Sequence, residues 1–242
     1  MSKHDTHREI LSLDAGLAGG LQAAASDGAG AAFLPDALPA EACAWIVSEL
    51  ASARFSRLQK HEGRARQEGE IFVIRNSLRD YPAIRRLRRE LVDAAHEAGD
   101  EIAGLASWEP NEVSVQRYPA DSLGITPHLD LRRYRYLVVI ATVEGAADFT
   151  LCKNRQGDLV TTWRAETGSL ILLRGPGLGG VEDGRPLHAV AGPVRGQRIS
   201  LGFRMDTSAP ARSGNTADSL GDAPARGPSG SPAKGPSPKR IA

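Results

Sequence analysis

Cysteine, aromatic residues, net charge and long apolar runs are all scarce in this 242-residue chain. Its two cysteines, Cys43 and Cys152, are too few for a disulfide scaffold or a thiolate zinc site, so we expect both to be small buried hydrophobes. A formal net charge of +1 gives no electrostatic reason to expect nucleic acid or a membrane surface as a partner. No apolar run approaches the ~20 residues of a membrane-spanning helix, and the first residues lack the apolar region of a secretory signal. These features predict a cytoplasmic protein without a membrane partner.

Composition divides the chain into three parts. Residues 1–30 are rich in Ala, Gly and Asp and predict a weakly ordered N-terminal segment. Residues 31–206 predict one folded domain, whose core must be filled mainly by aliphatic side chains because aromatic residues make up only 5% of the chain. Residues 207–242 are mostly Pro, Gly, Ser and Ala, which cannot bury enough apolar surface to fold. They predict a disordered tail, either a tether for nucleic acid or another partner, or a solvated segment without a specific role.

Helical patterns come first in the folded domain, and strand patterns follow. Pro39 is typical of a helix start, and a second helix is predicted after Pro82, with apolar residues at three- and four-residue steps from Ile84 to Leu105. From residue 111 onward, seven or eight short apolar or alternating segments are separated by turn residues. This order predicts an α+β protein, with a double-stranded β-helix (jelly-roll) core and N-terminal supporting helices.

Three residues beside these strands have the chemistry of a metal site. His128 and Asp130 are two residues apart, so in an extended segment their side chains point to the same face. His188 lies sixty residues later, at the start of another predicted strand. Two imidazoles and one carboxylate form the facial triad of non-haem iron(II) oxygenases, which leaves the other coordination positions open. We interpret the three residues as metal ligands; the alternative is that they are unconnected surface residues.

The last predicted strand carries a basic residue among apolar ones. In GQRISLGFR, Arg198 follows His188 by ten residues, and Ser200 shares its face. A guanidinium matches the geometry of a carboxylate, and a hydroxyl can add a further hydrogen bond. Tyr118, on the strand before His128, can supply another. These residues predict a site for the far carboxylate of a dicarboxylate cosubstrate; the alternative for Arg198 is a surface position.

A glycine-rich stretch, GPGLGG at residues 175–180, formally fits a dinucleotide-binding pattern. Such a site needs a helix directly after the glycines, whereas VEDGRPLHAV follows here. We therefore interpret the stretch as a flexible loop at the rim of the metal site.

The motifs HLD at 128–130, PLHAV at 186–190 and RISLGFR at 198–204 resemble the core of the 2-oxoglutarate/Fe(II) dioxygenase superfamily. Within it, the sequence is most similar to the AlkB-like branch, through QRY at 116–118 and VVIATVEGAADF at 138–149. Gln116 stands where that branch usually has Asn. The resemblance implies Fe(II), 2-oxoglutarate and molecular oxygen as cofactors and cosubstrates. It also implies a set of site residues: His128, Asp130 and His188 as catalytic metal ligands, with Arg198, Ser200, Tyr118 and Arg204 binding the cosubstrate.

The implied chemistry is hydroxylation of an unactivated C–H bond, which becomes demethylation when the carbon carries a nitrogen. Three classes stay open: a hydroxylase of a small-molecule or amino-acid-like substrate, an AlkB-like demethylase of nucleic acid or protein, and a non-catalytic jelly-roll binding module. AlkB-type enzymes grip a flipped base with aromatic residues, whereas residues 56–82 are polar and poor in them, which favours the first class. Arg75, Arg132, Arg135 and Trp163 are candidate substrate contacts. No feature of the sequence predicts an oligomeric state.

Overall fold

The computed structural model describes residues 16–208, apart from residues 27, 63–64 and 76–77 and the side chains of residues 59–62. Residues 1–15 and 209–242 lie outside the described residues, and with them most of the predicted tail and half of the predicted N-terminal segment. Within the described part, no helix is long and apolar enough to cross a membrane. Both cysteines are free and buried, as predicted. The cytoplasmic location stays a prediction.

The N-terminal segment is more ordered than its composition suggests. We predicted weak order throughout residues 1–30, but Leu17–Ser26 forms helix α1. Leu17, Leu21 and Ala24 on one side of α1 are buried in the main core. The prediction was wrong here because the apolar side of α1 is built mostly from alanine and leucine, and its stability comes from tertiary packing rather than from a strong local pattern.

Two further α-helices, α2 (Ala40–Glu49) and α3 (Pro82–Glu97), lie where the sequence places helix starts. α3 ends earlier than its apolar period suggests: we predicted a helix as far as Leu105, but short 3-10 turns follow Glu97. Gly104 adopts a left-handed conformation with φ 98°, which favours glycine and breaks the helical path. Leu105 is nevertheless fully buried, because the turns fold it back onto the core.

Eleven strands are present among the described residues. They are β1 (Ala31–Leu34), β2 (Ser56–Glu62), β3 (Ala65–Ile74), β4 (Glu112–Pro119), β5 (Gly124–His128), β6 (Tyr134–Glu144), β7 (Ala146–Cys152), β8 (Leu159–Glu166), β9 (Leu170–Arg174), β10 (His188–Val190) and β11 (Gln197–Asp206). All of their pairings are antiparallel. The larger layer has the order β1-β9-β6-β11-β4-β3, with β2 added to β3, and the smaller layer has the order β5-β10-β7-β8. Pairing between β3 and β5 joins the layers into a nearly closed jelly roll, so the predicted fold class is confirmed.

Strand β11 has an apolar face and a polar face. Its apolar residues, Leu201 and Phe203, belong to the core that also holds the buried sides of α2 and α3. The alternate residues Arg198, Ser200 and Arg204 are also buried, on the opposite face of the strand. The helices therefore cover one face of the larger sheet, while its other face carries polar groups into the space between the layers.

Candidate metal centre

The three predicted metal ligands come together at the mouth of the barrel. His128 ends β5 and His188 begins β10, and the two residues are direct cross-strand partners. Their ring centroids are 4.3 Å apart. Asp130 follows β5, and one ligand atom from each of the three residues lies within 4.8 Å of the others. Spacing of this kind allows one ion to contact all three groups.

Backbone contacts orient both imidazole rings. Nδ1 of His128 lies 3.0 Å from the carbonyl oxygen of Thr126, and Nδ1 of His188 lies 3.0 Å from that of Pro186. Because a carbonyl only accepts, each Nδ1 donates its proton and each Nε2 keeps a free lone pair. The ring of Phe149 stacks on His188, with centroids 5.0 Å apart. The rings are therefore fixed in the tautomer that a metal ion requires.

Asp130 has the features of a ligand that lacks its partner. Its Oδ2 atom is buried and accepts no hydrogen bond in the described structure, and an orphaned buried acceptor is uncommon. Burial opposes ionisation of this carboxyl, but the positive charge of Arg204 and the neighbouring imidazoles hold its pKa below the usual range. Burial, reinforced by His188, lowers the pKa of His128 to about 4. At neutral pH the site thus offers a carboxylate and a neutral imidazole, the forms that bind metal.

Arg185, which the sequence analysis missed, ties the ligand segments together. It donates a hydrogen bond to the main-chain carbonyl of Asp130 and forms a two-pronged ion pair with Asp183. Arg185 and Asp183 belong to the loop before His188. The glycines of that loop lie elsewhere: Gly179 donates to the carbonyl of Ala103. Gly175 donates to the carbonyl of Tyr136 on β6, so the predicted rim position was wrong for the glycines, and no helix follows them.

A second group of polar residues lies deeper between the layers. Arg198 is 1% exposed, donates to the hydroxyls of Ser200 and Thr142 at 3.0 and 2.9 Å, and has an unpartnered Nε. Among the described residues, no carboxylate lies within ion-pair distance of it. Burial lowers its pKa to about 10, so it is still a cation at neutral pH. The hydroxyl of Tyr118 accepts a hydrogen bond from Gln67 at 2.7 Å. Burial raises the pKa of this phenol, although Gln67 and Arg198 oppose the shift. A buried cation without a counter-ion fits an anionic ligand.

Arg204 connects this inner group to the metal ligands. Its guanidinium donates to the hydroxyl of Ser114, lies over the ring of Tyr134 at 5.2 Å, and stabilises ionised Asp130. The absence of a side chain at Gly202 makes room for it, because a Cβ there would collide with the guanidinium. Arg204 is thus placed between the two groups, as the spacing within RISLGFR allows.

A cavity of about 410 Å³ opens beside the triad. Its wall includes the three candidate ligands and Arg204, whereas Arg198, Ser200 and Tyr118 are not part of it. Of the four candidate substrate contacts, Arg75 alone belongs to the wall. The others are engaged elsewhere: Arg132 with Glu182 and Asp183, Arg135 on the ring of Tyr136, and Trp163 between Phe33 and Phe149.

Neither a protein-family model nor a curated protein matches the sequence. Solved structures do match the fold. A prolyl hydroxylase from Trichoplax adhaerens, in complex with a hypoxia inducible factor peptide fragment, aligns with a TM-score of 0.56 and 16% identity over 82% of this chain and 93% of its own. A 2OG-Fe(II) oxygenase family protein from Burkholderia pseudomallei aligns with a TM-score of 0.51 and 15% identity, over 78% of this chain and 90% of its own.

The structure of OsALKBH1 also aligns, with a TM-score of 0.51 and 14% identity over 72% of this chain and 97% of its own. The chain has the fold of 2-oxoglutarate/Fe(II) oxygenases. Structures named for both the prolyl hydroxylase and the AlkB-like branch share this fold with it. The fold expected from the sequence motifs is thus confirmed.

Proposed function

We propose that this protein is an Fe(II)- and 2-oxoglutarate-dependent oxygenase that hydroxylates an unactivated C–H bond of a small-molecule or amino-acid-like substrate. The observation that carries the proposal is the geometry of His128, Asp130 and His188. They offer two fixed imidazole Nε2 atoms and an unpartnered carboxylate oxygen, all within reach of one ion at the wall of a cavity.

In this proposal the three residues would hold the iron at the wall of the cavity. Two nitrogen ligands and one oxygen ligand suit Fe(II), and open positions allow a cosubstrate and oxygen to bind. When bound, iron and 2-oxoglutarate would supply the oxidising chemistry, with succinate and carbon dioxide as by-products. The protein supplies orientation and a site from which water is excluded.

The proposed cosubstrate site rests on the buried positive charge of Arg198. Arg198 is a buried guanidinium without a carboxylate partner among the described residues, and Ser200 and Thr142 fix its orientation. It would hold the far carboxylate of 2-oxoglutarate, with Tyr118 at the same end. Arg204, whose charge acts on Asp130, would bind nearer the metal. An anionic cosubstrate bound to Arg198 and Arg204 would offset the free-energy cost of burying these two cations.

An AlkB-like demethylase of nucleic acid or protein is the second candidate. The observation in its favour is the arginine pair of β11, Arg198 and Arg204, which matches the last motif of that branch. The chemistry at the metal would be the same, and the substrate would carry its reacting carbon on nitrogen. A protein that kept the fold without catalysis is the third.

Anaerobic titration of the purified apoprotein with Fe(II) and 2-oxoglutarate tests the proposal. We expect the visible charge-transfer band of an iron–oxoacid chelate. The band should be lost in His188→Ala and should need much more 2-oxoglutarate in Arg198→Ala. Arg164→Gln, which breaks an ion pair with Asp148 away from the cavity, is the control and should behave as wild type. No band and no retained metal would leave a jelly-roll binding module as the better account.

A further inference from the structure

One side of the cavity carries three guanidinium groups around a single tyrosine. Arg133 and Arg204 lie over the ring of Tyr134, with Cζ 5.5 and 5.2 Å from its centroid. The Tyr134 hydroxyl donates to Glu112 at 3.2 Å. The other carboxylate oxygen of Glu112 accepts both hydrogen bonds from Arg75, at 3.0 and 2.8 Å. All five residues line the same cavity as the candidate metal ligands.

Two of these arginines are anchored and still have donors available. Glu112 and Asp206 have side chains that are 5% and 4% exposed, and they hold Arg75 and Arg133, whose side chains are 56% and 42% exposed. Arg75 uses Nε and Nη2, and Arg133 uses Nε. A guanidinium has five N–H donors, so terminal N–H groups of both remain for a ligand. A buried carboxylate behind each arginine fixes its direction before any ligand arrives.

The charges of the cavity wall have separate tasks in the proposed function. Asp130 is a metal ligand, and Arg204 serves the cosubstrate. Arg75 and Arg133 are each paired with a buried carboxylate, Glu112 and Asp206, so these four groups balance in charge. What they offer a ligand is the set of N–H donors that the two pairs leave free. A carboxylate suits such donors, because a guanidinium binds it through parallel charge-assisted hydrogen bonds.

Apolar residues occupy the wall next to Arg75. Ile71 and Val73 alternate with it along the chain and line the same cavity. Ile140 and Val190 add further apolar surface. A ligand with its acid group on the arginines therefore places an aliphatic chain against this surface.

We propose that Arg75 and Arg133 bind the carboxylate of a small aliphatic acid, an amino acid included, and that this acid is the substrate. The inference rests on the proposed function and specifies its substrate class. The cavity of about 410 Å³ beside the candidate metal ligands has room for a molecule of this size. Nucleic-acid strands, by contrast, are held mainly by phosphate contacts along the backbone.

Ligand binding to the protein loaded with Mn(II) and 2-oxoglutarate tests the inference, because the cosubstrate site is then already filled. The probes are aliphatic L-amino acids, the matching fatty acids of three to six carbons, and the carboxamide of each. Melting temperature and isothermal titration report binding. We expect at least one acid to bind while its carboxamide binds about tenfold more weakly or not at all, since a charged hydrogen bond is lost.

Variants connect that binding to the two arginines. Arg75→Gln and Arg133→Gln should each lower the affinity for the acid about tenfold and leave the affinity for 2-oxoglutarate unchanged. Glutamine is chosen because its side chain can still donate a hydrogen bond to the buried carboxylate behind it. Arg75→Lys keeps the charge and should retain part of the affinity. Arg164→Gln is the matched control, because it removes a half-exposed arginine from an ion pair away from the cavity.

Each other outcome decides against the inference. Equal binding of acids and carboxamides, or acid binding that survives both Gln variants, overturns it. Binding of inorganic phosphate or oligothymidylate instead, dependent on the same arginines, replaces the carboxylic acid by a phosphate-bearing substrate. No probe binding alongside an intact iron–2-oxoglutarate band overturns the substrate class and leaves the oxygenase proposal standing. Loss of the band itself counts against the oxygenase proposal.

Discussion

Arg185 donates a hydrogen bond to the main-chain carbonyl of Asp130 while its guanidinium binds both carboxylate oxygens of Asp183. The contact joins the loop before His188 to the segment after His128. Arg185 touches the backbone of a candidate ligand and leaves the carboxylate of that ligand free. We therefore regard it as a positioning residue, which holds two ligand segments at a fixed separation.

Replacing Arg185 should weaken metal binding without removing a ligand. We expect Arg185→Gln to lower the affinity for Fe(II) or Mn(II) by about 10- to 100-fold, the usual range for groups that orient metal ligands. Anaerobic titration of the apoprotein measures it. Arg132→Gln is the matched control, because Arg132 also pairs with Asp183, at 3.7 Å, but is exposed and does not bind Asp130. Equal metal affinity in Arg185→Gln and wild type would show that the contact positions nothing.

Local patterns predicted the elements of the fold that depend on local chemistry. The apolar run that begins at Leu137 lies within the buried strand β6, and Pro82 starts α3. Helix α1 was not predicted, because it depends on contacts with distant parts of the chain. Helix α1 is recognisable from its close approach to the sheet, where a Cβ at Gly20 would lie 3.1 and 3.2 Å from Leu172 and Leu34. The buried positions Leu17, Leu21 and Ala24 do have helical spacing, but in a short segment rich in alanine and glycine this spacing is a weak signal without those contacts.

The candidate site divides in the same way. The shared face of His128 and Asp130 follows from strand alternation, which needs only two residues of sequence. The position of His188 opposite His128 depends on the register between β5 and β10, so the sequence supported it only through motif order. Thr142 lies within the motif VVIATVEGAADF and Arg133 shortly after HLD, but both were missed because no local pattern shows which distant side chains they contact. Their roles are set by the three-dimensional arrangement of the sheets.

Stability should fall at high pH because of Cys43. Burial raises the pKa of this thiol from about 9 to about 11, so the folded state favours the neutral form. A raised pKa contributes stability that is present below the unfolded value and lost as pH rises through the folded value. Between pH 7.5 and 10, we expect the free energy of unfolding to fall by about 1 kcal/mol more in wild type than in Cys43→Ala. Urea unfolding measures both, and parallel pH profiles would contradict the prediction.

Gly202 should be required for the position of Arg204. In Gly202→Ala the new methyl group would displace the guanidinium, which is the flexible end of its side chain. We expect a modest loss of stability, about 1 kcal/mol, and a clear loss of 2-oxoglutarate affinity, about tenfold. Gly19→Ala in α1 is the control, since no atom lies within 4 Å of its added Cβ and alanine favours a helix. Unchanged cosubstrate binding in Gly202→Ala would exclude Arg204 from that site.

Arg198 should cost the ligand-free protein stability. It is buried without a carboxylate partner among the described residues, and Ser200 and Thr142 offer only neutral hydroxyls. An unpaired buried charge is destabilising, and apolar residues that replace buried ionic groups often stabilise a protein by about 1–4 kcal/mol. We therefore expect Arg198→Met to unfold at higher urea concentration than wild type when no ligand is present.

When ligand is added, wild type should become more stable than Arg198→Met. With Mn(II) present, 2-oxoglutarate should stabilise wild type in proportion to the logarithm of its concentration, because it binds the folded state alone. Arg198→Met should show no such rise. A variant that is less stable than wild type without ligand would mean that the two hydroxyls already satisfy the guanidinium. In that case the role of Arg198 would be structural, and the site of the far carboxylate would have to be sought at Arg204.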